Sequence, residues 1–413
     1  MGVDSPKSAI DPPVARLVEE FSRVWNGAGE DADLSPLVDD ADHAIRESHL
    51  DLFLSQSLGE LRHPPSTFDG KSALEERVLF GLDRLGQAAF GLSPAQLEIL
   101  CRRGMPQSLV QFAQMARGQE SLSDDEIFQA SRNVVVMHVL QLLLGQSCLL
   151  TPSVFAYSML YPYSDNYLDD PKIPAASKRA FNALFGRRLA GENVSPANGH
   201  EKRIFSMVAT IESEKYRART PQVFASLLAI QRAQVKSLEL QTKRQPSVDD
   251  VLTVTIDKGG TSVLADAYLI AENGLTPRQV RFIFGLGIFL QLVDDIQDLK
   301  QDLKSGNVTL FCLAAKDPIA LESLANRAIA FGKHVMDYLE AFTAQGIEPL
   351  KEVIRMSVAQ LIIGAAYQSH RYFRREYLSR LEAHFPFRLA HLEKVTATLR
   401  KQKLSLKNAG LYG

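Results

Sequence analysis

Apolar residues recur along most of this chain at three- and four-residue intervals, and no stretch sustains the alternation of a strand. Leu17, Phe21 and Trp25 set the pattern at four-residue spacing, and Leu50, Leu52 and Leu54 follow in a second helical stretch. Proline and glycine signals punctuate the pattern, among them Pro94, Pro106, Pro152, Pro171, Pro196, Pro221, Pro246, Pro277, Pro318 and Pro349. The periodicity predicts an all-α protein of about ten to thirteen helices around one large core. Residues 1–13 read as disordered, and His63-Pro64-Pro65-Ser66 as a breaker. Two regions are expected: an N-terminal extension over 1–70, helical after its first residues and packing onto the rest, and a main helical domain over 71–413. There is no internal repeat and no glycine-rich nucleotide loop.

The most informative helix starts at Thr276 and stops at Ser305-Gly306. Thr276 suits the N-cap, Pro277 the first helical position, and Gln279 completes a capping box. Its expected length is about 28 residues, or roughly 42 Å. Gln291, Asp294, Asp298 and Asp302 share a face, with Asp295 at its edge and Ile288, Gly287 and Phe284 above. One stripe is thus apolar at one end and anionic at the other. Carboxylates four residues apart repel, and negative charge is misplaced at a helix C-terminus. A hard divalent cation is the usual compensation.

A second helix repeats the arrangement. After Pro152, Val154, Phe155, Ser158 and Tyr161 lead down to Asp165, Asp169 and Asp170, and Pro171 ends the helix. Pro162 is expected to kink it. If the two acidic ends face each other, they form a site for several Mg²⁺ ions at the mouth of an apolar cavity. Such ions hold substrate phosphates, and the cavity holds a hydrocarbon and excludes water. The implied substrate is a diphosphate on an isoprenoid tail, with Tyr161 limiting how deep the tail reaches.

Composition narrows the alternatives. Hydrophobic residues make up 46% and charged residues 23% of the chain, as in soluble globular proteins. A net charge of −2 gives no field for nucleic acid. Cys101, Cys148 and Cys312 are scattered, which suggests a reducing, cytoplasmic setting and no zinc pattern. The first residues lack the apolar core of a signal peptide, and Pro6 stands where a myristoylation signal needs Ser or Thr. The apolar run 134–150 is interrupted by His138, Gln141 and Gln146 and reads as a buried helix rather than a membrane span. His138 and Cys148 are expected in the core.

The segment Gln291-Leu-Val-Asp294-Asp295-Ile-Gln-Asp298 resembles the second aspartate-rich motif of trans-prenyltransferases, and Asp294, Asp298 and Asp302 also match the spacing of the terpene synthase triad. Asp165-Asn-Tyr-Leu-Asp169-Asp170 is similar to the DxxxD motif of squalene and phytoene synthases and of bacterial large-terpene synthases. Over about residues 72–380 the chain resembles the class I isoprenoid synthase superfamily; the first 70 residues carry no such motif. The resemblance implies a helical bundle around a central apolar cavity. It implies metal ligation by Asp165, Asp169, Asp170, Asp294, Asp295, Asp298 and Asp302, with about three Mg²⁺ ions around a bound diphosphate.

It also implies diphosphate contacts from Lys258, Gln291 and the pair Arg371-Tyr372, with Gly259-Gly260 letting backbone approach the ligand. Arg217 and Arg219 are further cations, read as a salt-bridged helix face with Glu212 and Glu214. The expected activity is that of a terpene synthase, in which Asp165, Asp169, Asp294 and Asp298 carry the reaction. Prenyltransfer, head-to-tail or head-to-head, is the rival; a non-catalytic helical scaffold for lipid or protein is the rival of another class. Head-to-tail elongation is disfavoured because Arg102-Arg103-Gly104 is a poor match to the segment that binds a second diphosphate. A homodimer is a further expectation.

Overall fold

The computed structural model describes residues 10, 12–31, 34, 36–62, 68–119, 122–170, 172–243 and 245–408, and the breaker at His63-Pro64-Pro65-Ser66 lies outside them. Among the described residues the chain is helical throughout and has no strand. The first part comprises α1 (Val14–Gly27), α2 (Asp40–Arg62), α3 (Phe68–Phe90), α4 (Pro94–Cys101), α5 (Met105–Arg117) and α6 (Asp124–Leu143). The middle comprises α7 (Pro152–Asp169), α8 (Ala175–Leu189), α9 (Gly199–Glu214), α10 (Pro221–Thr242), α11 (Val248–Ile270) and α12 (Pro277–Gln297). The last part comprises α13 (Leu299–Ser305), α14 (Leu310–Ala314), α15 (Pro318–Met336), α16 (Glu348–Gln368), α17 (Arg375–Glu382) and α18 (Leu389–Asn408). Helices outnumber the expected ten to thirteen because short ones such as α13, α14 and α17 are too brief to show a period. No described helix is long and apolar enough to cross a membrane.

The centre of the molecule is the α11–α12 pair. Helix α11 packs on α12, α10, α6, α7 and α1, and α12 packs on α15 and α16. From Thr255 to Ile270 every residue of α11 is buried except Lys258 and Ser262. The capping box expected at Thr276 is present: Gln279 N–H donates to Thr276 Oγ1, and the Thr276 N–H to Gln279 Oε1. Gly259 and Gly260 lie mid-helix rather than in a loop. They serve packing: a Cβ at Gly259 would stand 2.8 Å from the Gly287 carbonyl oxygen and 2.7 Å from Gln291 Cβ. The expected role in approaching a ligand is therefore replaced by close approach of two helix backbones.

Helix α1 inserts its Leu17, Phe21 and Trp25 stripe into this core, with all three buried. The Phe21 ring lies 5.7 Å from Phe284 and 6.1 Å from Phe331. Arg281 Nε donates to Glu20 at 2.8 Å, tying α12 to α1. Ile10, expected to be disordered, is buried at 3% exposure. Helices α2 and α3 pack on each other at the periphery, fastened to the C-terminal part by Arg388 N–H donating to Glu47 at 2.9 Å.

Candidate functional site

One cavity of about 2050 Å³ runs through the bundle, and both acidic helix ends line it. Asp165 and Asp170 of α7 contribute from one side; Asp294, Asp295, Asp298 and Asp302 contribute from α12 and α13. Lys258 and Gln291 line it too. The side chains of Asp169 and Tyr161 lie outside the described residues, as does Pro171. Helix α7 runs unbroken through Pro162, to Asp170 as its cap.

The acidic helix is not one continuous rod. It ends at Gln297, with Asp298 at the break (φ −93°, ψ 6°), and resumes as α13. Gly306 closes α13 in the left-handed conformation at φ 76°, as expected of a C-terminal stop. All the acids still reach the cavity, so the break tilts the last turn without removing Asp302 from the site.

The apolar stripe differs from the one expected. Gly287 lines the cavity, but Phe284 and Ile288 are buried in helix packing, and Leu286, Leu290 and Val293 form the wall instead. On α7 the wall is Tyr157, Leu160 and Ser164, while Val154, Phe155 and Ser158 are buried behind it. The reason is the same for both helices. A central helix is apolar on several faces, so periodicity alone cannot tell which one meets the cavity.

The charges are unevenly compensated. Arg132 Nη2 on α6 donates to Asp294 Oδ1 at 2.5 Å. Gln291 Nε2 donates to Asp295 Oδ1 at 2.8 Å. Asn307 Nδ2 donates to Asp302 Oδ1 at 3.0 Å. Burial, against the pull of that Gln291 bond and with repulsion from Asp302 and Asp294, pushes the Asp295 carboxyl up to about 7. Desolvation at the cavity wall, followed by the charges of Asp294 and Asp302, pushes Asp298 up to about 6. On α7, Ser164 Oγ donates to the Leu160 carbonyl oxygen at 2.8 Å and lies 3.3 Å from Asp165 Oδ1, and the Lys172 N–H donates to Asp170 Oδ1 at 2.8 Å.

Among the described residues no three His, Cys, Asp or Glu side chains converge as a metal cage. The donor set nevertheless suits Mg²⁺ in kind, being hard carboxylate oxygens, two of which, on Asp295 and Asp298, are raised in proton affinity by burial and then by their neighbours' charges. Mg²⁺ is commonly held by one or two carboxylates together with substrate phosphates, so it does not need an all-protein cage.

Arg371 and Tyr372 sit in a short turn after α16, do not line the cavity, and Arg371 is exposed. Arg217 and Arg188 both pair with Glu212, as expected of a salt-bridged face, and Arg217 caps the Phe224 ring at 3.8 Å. His138 is fully buried between Ser108 Oγ at 2.6 Å and Gln141 Oε1 at 2.7 Å, and Cys148 is buried beside it. Both are core residues, as expected.

Sequence reasoning missed Arg132 and Asn133. They interrupt the apolar face of α6, a signal that could have found them, but an Arg-Asn pair has no motif spacing to mark it. Comparison with known proteins finds no matching family model, no matching curated protein and no matching solved structure.

Proposed function

We propose that this protein is a class I terpene synthase of isoprenoid synthase fold, which ionises a linear prenyl diphosphate and lets the cation cyclise or lose a proton inside the cavity. The observation that carries this is the convergence of two acidic helix ends, far apart in sequence, on one apolar cavity with cations beside them. Asp165, Asp170, Asp294, Asp298 and Asp302 would hold Mg²⁺, with Asp169 as a further candidate. When bound, Mg²⁺ supplies charge neutralisation for a departing diphosphate.

The chain's own residues account for the rest. Lys258 presents a charge from a stretch of α11 in which every other residue but Ser262 is buried, so its position is held by the packing around it. Arg132 is paired with Asp294 and can pass from that carboxylate to an incoming diphosphate, where planar bidentate recognition favours guanidinium. Leu160, Leu286, Leu290 and Val293 exclude water from the reacting chain. Gln291 holds Asp295 in place.

The cavity is about twice the upper size of ordinary small-molecule pockets, which favours a long prenyl chain. The same volume keeps a second reading alive, condensation of two prenyl diphosphates side by side. The test is incubation of the purified protein with prenyl diphosphates from C10 to C35, with and without Mg²⁺. Diphosphate release and the organic extract are both followed, the latter by mass spectrometry. Mg²⁺-dependent release with hydrocarbon or alcohol products supports the synthase, and products of summed chain length support condensation. If no substrate releases diphosphate and binding ignores Mg²⁺, the protein is a scaffold and the proposal is wrong.

A further inference from the structure

Away from the acidic rim, residues of three helices meet in one polar cluster at the cavity wall. Asn133 of α6 lines the cavity. Its Nδ2 donates to Asp266 Oδ1 of α11 at 3.0 Å and to Ser158 Oγ of α7 at 3.3 Å. Asp266 and Ser158 are buried, at 1% and 0% exposure. Asp266 Oδ2 has no hydrogen-bond partner. Burial pushes the Asp266 carboxyl well above the usual range, against the bond from Asn133.

Helical spacing sets the depth of the cluster. Asp266 lies eight residues beyond Lys258 on α11, about 12 Å along the axis at 1.5 Å per residue. Tyr157 lies eight residues before Asp165 on α7 and donates its hydroxyl to the Ser262 carbonyl oxygen at 3.3 Å. Tyr157 and Ser262 line the same part of the cavity. A polar group buried in an apolar wall is costly unless its hydrogen bonds are made, and here one atom remains unmet. The geometry of the amide gives that cost a use. Both Nδ2 hydrogens are directed to acceptors on other helices, which leaves Oδ1, the negative end of the amide dipole, as the group that Asn133 can offer to a guest in the cavity.

We propose that Asn133 is a catalytic residue that stabilises positive charge at this wall of the cavity, and that Asp266, about two helical turns beyond Lys258 on α11, is a positioning residue that holds its amide in place. This rests on the reading that a prenyl cation forms in the cavity. Asn133 makes and breaks no bond: its oxygen faces charge that has migrated along the chain from the carbon that bore the diphosphate. A preorganised dipole in a dry site is worth more than in water and needs no reorganisation when the charge arrives.

The test compares wild type with Asn133→Leu, Asp266→Ala and Asp266→Asn, each first checked for folding by thermal melting. Two readouts are used. With the prenyl diphosphate that the wild type consumes, Asn133→Leu and Asp266→Ala should lower the ratio of late, rearranged products to early-quenched ones by about tenfold, equivalent to about 1.4 kcal/mol. Asp266→Asn keeps an acceptor for Asn133 and should restore the ratio. The second readout is the affinity for a long-chain alkyltrimethylammonium relative to its neutral tert-butyl isostere, with Mg²⁺ and inorganic diphosphate present. Wild type should prefer the cation and Asn133→Leu should lose that preference. An active wild type whose product ratio does not change in Asn133→Leu overturns the assignment, as does an ammonium preference that survives the substitution. An inactive wild type that keeps an Asn133-dependent ammonium preference overturns the proposed reaction and leaves the cation site standing.

Discussion

The two acidic helix ends look alike in sequence and differ in how their charge is met. At the end of α7, the Lys172 N–H donates to Asp170, while the Ser164 hydroxyl beside Asp165 is given to the Leu160 carbonyl one turn back. Around the end of α12, four carboxyls fall within little more than two turns of chain, and burial together with their mutual repulsion drives two of them, Asp295 and Asp298, up to about 7 and about 6. Arg132, from a different helix, answers one of the four. Three of the four also accept a hydrogen bond, Asp294 from Arg132, Asp295 from Gln291 and Asp302 from Asn307, so the difference teaches that burial and crowding, rather than a lack of donors, raise the carboxyls at the α12 end.

That contrast can be broken most directly by mutation. Asp294→Ala and Asp298→Ala should each lower turnover by roughly 100- to 1,000-fold, the range for removing one group that stabilises developing charge. Thermal melting without metal should show an unchanged or raised midpoint, because each substitution relieves repulsion. Asp170→Ala should cost clearly less turnover than either. Equal losses at the two ends, measured as kcat/KM, would erase the distinction.

The next effect is on stability. Gly287→Ala places a methyl against the Gly259 carbonyl and should destabilise by about 1–3 kcal/mol, the usual cost of overpacking. Denaturant unfolding measures it. If α12 is anchored through this contact, turnover should fall with stability, whereas the α7 carboxylates should be unaffected in their own metal dependence.

A smaller effect, on pH dependence, separates burial from crowding. Asp266 is raised by burial alone against one bond from Asn133, away from the acidic rim. The sign follows from proton uptake. Between the ordinary aspartate pKa of about 3.9 and its raised native value, the folded state binds more protons than the unfolded state. Stability contributed by the neutral carboxyl is therefore fully present below about pH 3.9 and is lost as pH rises from there toward the raised native pKa. Asp266→Asn should flatten that decline, read as melting midpoints across pH. A decline of unchanged slope in the variant would mean that Asp266 is ionised in the native protein.

Much was legible from the residues alone, and the reason is range. The capping box at Thr276 and Gln279, the left-handed stop at Gly306 and the co-facial acids at Asp294, Asp298 and Asp302 depend on neighbours three or four positions away. So does the Leu17, Phe21 and Trp25 stripe, buried as its spacing predicts. Such features are written into any short window of sequence.

Tertiary structure decided what lies across the chain. Phe284 turned to Phe21 rather than to the cavity, because α1 arrives from far away in sequence to cover it. Gly259 and Gly260 became a packing surface because α12 passes over them. Arg132 met Asp294 across 162 positions, and Asn133 met Asp266 across 133. Periodicity sets which residues share a face of a helix. Which helix that face meets is settled by how the apolar surfaces of all the helices are buried together, and that is a property of the whole bundle.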